Sequence, residues 1–184
     1  MTDEPSVAEA ASRLGRGGGL DLIFDASGAL TIDGIGPEKT IKALDPAAMA
    51  RQFAVNAIGP ALLMKHFLPL LPRQERAIFA TLSARVGSIG DNRLGGWMFY
   101  RASKAALNQI VRTATIEGRR THPGAVVAAL HPGTVATRLS DSYGARCNQL
   151  SPDQSAALLL DVLDRLEPAL SGGFFAYDGS VIEW

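Results

Sequence analysis

The sequence has one cysteine, Cys147, so no internal disulfide can form, which fits a reducing compartment or simply says nothing about redox. It also lacks net charge. Eighteen basic and eighteen acidic residues cancel, which leaves no field to draw in nucleic acid or an anionic lipid surface. No stretch reads as the ~20 apolar residues that span a bilayer, and the acidic start is unlike a secretory signal. A cytoplasmic protein with no membrane and no nucleic-acid partner is expected. Its His, Cys and carboxylate residues are not grouped at metal-ligand spacing, so no metal site is expected. Of the three histidines, His66 sits on an apolar helix as a packing residue, His122 on a surface loop, and His131 on a scaffold turn.

Apolar residues make up 47% of the 184 positions, enough to bury the core of one domain spanning residues 1–184. The pattern predicts a short amphipathic helix over 4–14, closed by the breaker Gly15-Arg16-Gly17-Gly18-Gly19. A buried strand over 20–26 leads into a long loop over 28–44. An apolar helix over 46–71 follows, kinked at Pro60 and stopped by Pro69 and Pro72. Further strands are predicted over 77–82, 125–130 and 173–177, with helices over 97–120 and 151–166, the last N-capped. Residues 140–147 read as irregular. Strand and helix alternate with crossovers long enough for parallel pairing. The fold class is therefore α/β, a doubly wound, mostly parallel sheet of about four strands with helices on both faces. Ligands of such sheets bind beyond the carboxyl ends of the strands. Ser27-Gly28, Ser83 and residues 131–137 each follow a strand and converge there.

Tyr100-Arg101-Ala102-Ser103-Lys104 is the most informative stretch, with Ser83 seventeen residues upstream. A tyrosine and a lysine four apart on a helix share one face. An ammonium beside a phenol lowers its ordinary pKa near 10 and fits it for proton transfer.

With these residues the chain resembles the short-chain dehydrogenase/reductase family, and within it the C-factor-like and sniffer-type carbonyl reductase branch. The resemblance is carried by Phe53-Ala54-Val55-Asn56-Ala57-Ile58-Gly59-Pro60, Leu82-Ser83-Ala84-Arg85-Val86-Gly87-Ser88, Tyr100 to Lys104, and Pro132-Gly133-Thr134-Val135-Ala136-Thr137. The tail from Tyr177 to Trp184 adds to it. The resemblance implies a Rossmann-like domain and NAD(P)-dependent hydride transfer on a small-molecule carbonyl or alcohol. It implies a tetrad in which Tyr100 is the general acid or base and Lys104 lowers its pKa. Ser83 would hydrogen-bond the substrate oxygen, and Asn56 would hold a water joining Lys104 to solvent. Ser27, Gly28, Pro132, Gly133, Val135 and Thr137 would contact the cofactor, NAD or NADP. A homo-oligomer packed through the two long helices is implied as well.

Three departures from the family stand out. Its opening strand and Thr-Gly-x-x-x-Gly-x-Gly loop, which cradles the pyrophosphate, have no match here. Residues 15–19 follow a helix and precede a strand, the reverse of what that loop requires. The register begins after the family's third strand, so the chain reads as N-terminally truncated. The expectation is either an internal GTG codon read as Met1, with the glycine loop encoded upstream in frame, or a chain that was deliberately shortened. The first strand would then have an open apolar edge, which invites pairing with another chain. Second, Asp25-Ala26-Ser27-Gly28 stands where Asn-Asn-Ala-Gly is common. Third, the Ser83–Tyr100 spacing is longer than usual. An alternative of another class therefore stays open: a non-catalytic interaction or signalling protein that keeps the fold without binding cofactor. Substrate identity and the choice of NADH or NADPH are not legible, since the specificity segment around 140–150 has no diagnostic chemistry.

Overall fold

Four strands, β1 (Leu22–Asp25), β2 (Ala77–Leu82), β3 (Ala125–His131) and β4 (Phe174–Ala176), pair in chain order and all in parallel. The computed structural model describes residues 2–137, 139 and 149–184. The irregular stretch expected over 140–147, Cys147 itself and most of the expected specificity segment 140–150 lie outside the described residues. The α/β class and the parallel sheet are as the sequence predicts, and the expected strands agree with the observed ones to within two residues at each end.

Both faces of the sheet are covered, which is why β2 and β3 are nearly continuous apolar runs. Alternate residues serve opposite sides. Ala77 and Phe79 of β2, with Ala125, Val127 and Ala129 of β3, face a core built with α1 (Glu4–Gly15), α3 (Gly59–Phe67) and α4 (Met98–Gly118). Ile78, Ala80, Val126, Ala128 and Leu130 face the other core, built with Leu159, Val162 and Leu163 of α5 (Pro152–Arg165). This parity decides later which residues past the strand ends reach the site.

The helix expected over 46–71 is not one kinked rod. It divides into α2 (Pro46–Phe53), a π turn (Ala54–Ile58), α3 and a closing 3-10 turn (Leu68–Leu70). Asp45 starts it by accepting from the Ala47 and Ala48 amides at 2.8 and 3.3 Å, with Pro46 where no donor is needed. Pro60 brings no N–H to its own turn, so it offers nothing to the Asn56 carbonyl four residues back. The ladder widens there, and the Gly59 amide donates to the Ala54 carbonyl, five residues back. The helical run Pro46–Leu70 has the length and composition of a membrane span, a feature the sequence reading did not anticipate. Here Met64 and Phe67 from it are core, and Gln52 and Asn56 are buried in polar contacts. His66 packs as expected, with its ring nitrogen 3.0 Å from the Glu4 carboxylate on α1.

At the other core, α5 is N-capped as the sequence predicts, and Ser151 and Gln154 make the cap reciprocal, at 3.1 and 2.9 Å. Arg76 closes the far end of the helix by donating to the carbonyls of Leu163, Asp164 and Leu166. Among the described residues β1 pairs with β2 alone, and its Leu22 and Phe24 are 46% and 36% exposed.

Candidate active site

Beyond the carboxyl ends of β1, β2 and β3 lies a cavity of about 580 Å³, where the parallel topology places a ligand site. Its walls are mostly apolar: Phe24, Leu30, Leu82, Val86, Trp97 and Leu159. Tyr100 lines it, as do Pro132, Gly133, Val135 and Thr137 of the expected cofactor turn. That turn is held from two sides. Ser155 donates to the Pro132 carbonyl at 2.8 Å, and residues 134–136 pair with Leu150 through bonds of 2.9 Å. Gly133 has φ +80°, and a Cβ there would lie 2.9 Å from the Tyr177 ring, so glycine is required twice over.

Tyr100 reaches the cavity because of how α4 begins. Gly95, Gly96 and Trp97 are successively left-handed, with Trp97 at φ 54° and ψ 37°. A bulky residue in that region is strained, and its surroundings have to hold it there. Glu38 does so: its carbonyl accepts from the Trp97 amide at 2.7 Å and its carboxylate from the Phe99 amide at 3.2 Å. The phenol follows in the first turn of the helix, and burial pushes its pKa up to about 12. The sequence reading expected the opposite direction, with Lys104 lowering it. Burial alone accounts for the observed shift, because removing water penalises the phenolate.

Lys104 is one turn further along α4 and 2% exposed. Its ammonium donates to the Leu82 carbonyl at 2.8 Å. Burial pushes it down to about 8, opposed by the carboxylate of Asp25 at the end of β1. Asp25 is itself buried and accepts from Thr81 at 2.7 Å and from the Ser27 amide at 2.9 Å; the Ser27 hydroxyl bonds the same carboxylate. Gly28 follows, where a Cβ would lie 3.1 Å from the Lys104 nitrogen and 3.5 Å from Asn56 Oδ1. Gly28 thus lies beneath the site against the lysine, Ser27 against the Asp25 carboxylate, and neither lines the cavity.

Asn56 does not present its carboxamide to a solvent path. Its Oδ1 accepts from the Ala29 amide at 2.8 Å, and its Nδ2 donates to Ala29 O, Gln52 Oε1 and Ser103 Oγ at 2.8, 2.6 and 3.2 Å. The side chain clamps the turn after β1 onto α2 and α4.

Ser83 requires a correction. Its hydroxyl was expected on the substrate oxygen, but it is buried and donates to Asn108 Oδ1 at 2.6 Å. Asn108 in turn donates to the Gly87 carbonyl at 3.3 Å. The reason is parity: residue 83 continues the side of Ala77 and Phe79, which faces α4. Leu82 and Ala84 take the other side and line the cavity. Asn108 had a signal of its own, since Tyr100, Lys104 and Asn108 recur at four-residue steps on one helix face.

His131 also lines the cavity, where the sequence reading had placed it on the scaffold. Burial, helped by the charge of Arg85 and opposed by Asp178, pushes its imidazole down to about 4. It is neutral at pH 7, and among the described residues its buried Nδ1 has no hydrogen-bond partner. Gly87, in the short 3-10 turn after β2, sets the spacing of this assembly. A Cβ there would lie 2.8 Å from Lys104 Cβ and 2.9 Å from the Lys104 backbone carbon. Gly87→Ala is expected to cost about 1–3 kcal/mol, the range of overpacked cores, read as a lowered urea midpoint at unchanged m-value.

Comparison with known proteins agrees with this geometry. Residues 1–148 match the family described as short chain dehydrogenase. The chain is 35% identical over 185 residues to 1-hydroxy-2-glutathionyl-2-methyl-3-butene dehydrogenase of Rhodococcus sp. (strain AD45), covering all of this chain (100%) and 77% of that protein. It is 40% identical over 141 residues to C-signal of Myxococcus xanthus, covering 77% of this chain and 81% of that protein. Among solved structures, the NADPH-bound carbonyl reductase from chicken fatty liver superposes with a TM-score of 0.83 at 33% identity, over 100% of this chain and 74% of that one.

Proposed function

The chain belongs to the short-chain dehydrogenase family, and from that premise we propose that it is an NAD(P)-dependent oxidoreductase of a small-molecule carbonyl or alcohol. The observation that carries the reading is Tyr100 at the wall of an apolar cavity shared with the 132–137 turn, with Lys104 buried one helical turn behind it. Pro132, Gly133, Val135 and Thr137 would hold the nicotinamide end of the cofactor, which supplies or accepts the hydride. Tyr100 moves the proton. A phenol held near 12 is protonated at every physiological pH and can donate to a forming alkoxide, which is the stronger base, as carbonyl reduction requires. The apolar walls suit a substrate with a hydrophobic body. The names of the relatives, a carbonyl reductase and a dehydrogenase of an alcohol, support the same substrate class. The exposed apolar edge of β1 supports self-association as a homo-oligomer.

One observation favours a second reading, a non-catalytic interaction or signalling protein: the β2 segment presents a methyl group, Ala84, and no hydroxyl to the cavity. Fluorescence titration with NADPH separates the two. Micromolar affinity together with NADPH oxidation by a carbonyl substrate would favour the first. Millimolar or absent affinity in folded protein would favour the second.

A further inference from the structure

Past the end of β2 the chain offers two side chains in succession, and only one of them faces the cavity. Ser83 is 3% exposed, and its amide donates to the Leu130 carbonyl at 2.7 Å. Its hydroxyl is engaged by Asn108, whose own amide is engaged by Gly87. Turning that hydroxyl toward Tyr100 would break the Asn108 bond and leave a buried carboxamide oxygen unpaired. Ala84 lies on the cavity wall with Tyr100, between Leu82 and Arg85.

We infer that position 84 is the point from which the β2 segment touches the substrate oxygen, that Ser83 is a structural residue of the β2–α4 junction, and that the methyl of Ala84 limits this chain to activated carbonyls. The inference rests on the proposed reductase function. A bound reduced nicotinamide would supply the hydride for the carbonyl carbon and be left oxidised, and Tyr100 would give its proton to the carbonyl oxygen, so that the product is the alcohol. A hydroxyl at position 84 would gain and lose no proton. It would donate a hydrogen bond to the oxygen as negative charge develops there, and that is where a fixed donor has most effect. Without it, a carbonyl already made electron-poor by a neighbouring carbonyl group reacts best, and a simple ketone reacts poorly.

The test compares wild type, Ala84→Ser and Ser83→Ala with NADPH, using biacetyl and cyclohexanone as probes. Ala84→Ser is expected to raise kcat/KM on cyclohexanone at least ~10-fold, a conservative share of the effect of one such donor, and to narrow the gap between the probes. Ser83→Ala is expected to hold kcat/KM within ~3-fold on both. A second arm needs no turnover: in a double-mutant cycle of Ser83→Ala and Asn108→Ala, the unfolding constants should be coupled by ~3-fold or more. A ~100-fold loss of turnover in folded Ser83→Ala, or additive effects in the cycle, would overturn the assignment of Ser83. NADPH binding with no gain in Ala84→Ser overturns this inference alone. Absence of NADPH binding to all three proteins overturns the function and this inference with it.

Discussion

Tyr100→Phe should lower kcat for carbonyl reduction by roughly 10²–10⁴-fold, the usual contribution of a positioned proton donor, and leave KM nearly unchanged. Among the described residues, the phenol stands on the cavity wall as a titratable O–H that is protonated at neutral pH and can pass its proton to a forming alkoxide. His131 is neutral there, pushed down to about 4, and Lys104 lies behind the wall. The fold should tolerate the change, since phenylalanine fills the same buried space at the start of α4 and loses only the hydroxyl. Single-turnover NADPH oxidation beside the steady state shows whether the loss lies in chemistry or in product release. A second consequence follows from the titration. With the phenol near 12, Tyr100 should put no limb into the rate profile of wild type between neutrality and pH 10, and a limb near 8 would belong to Lys104. A variant retaining a third of wild-type turnover would remove Tyr100 from the chemistry.

Much of this was legible in the sequence, for identifiable reasons. The strand over Ala77–Leu82 has the expected bounds, because an apolar run of that length between a proline-rich turn and a glycine-rich loop has few alternatives. The N-cap of α5 was visible in the serine that opens the segment, and the structure adds Gln154 as the reciprocal partner. Tyr100 and Lys104 lie on the same helix face, as their spacing requires. What was not legible depends on facing and burial. Both faces of β2 are apolar, so the sequence says that Ser83 follows the strand but not which layer it turns toward. The direction of the Tyr100 shift turns on a competition between desolvation and a nearby charge. Spacing reveals the charge, whereas the depth of burial emerges only when the 95–97 turn and Glu38 set the entry of α4. The widened turn at Asn56 had its cause, Pro60, in plain view; that the helix continues as a π turn and not as a kink needed the packing of α2 and α4.

Lys104 carries the second large effect, and it is a gain of stability on removal. Its pKa in the fold, about 8, lies below the ordinary value of 10.5 that it recovers on unfolding. Between those values the unfolded chain binds a proton that the folded chain does not, so stability rises with pH across about 8 to 10.5. Below about 8 the penalty for charging the buried amine is fully present, on the order of 3 kcal/mol for a shift of this size. Lys104→Met removes the charge and keeps most of the volume, at the cost of the bond to the Leu82 carbonyl, worth about 1–3 kcal/mol when its loss leaves a buried group unpaired. The variant is therefore expected to be as stable as wild type or up to about 2 kcal/mol more stable at pH 7, and to lose that advantage by pH 10, where wild type is also neutral at this position. Urea midpoints at the two pH values measure the difference directly. A pH-independent difference would mean that the ammonium is solvated in the fold. Turnover should fall in the same variant, because the charge that burdens the fold is the one held behind Tyr100, and a site that gains stability while losing its chemistry is one maintained against the preference of the core.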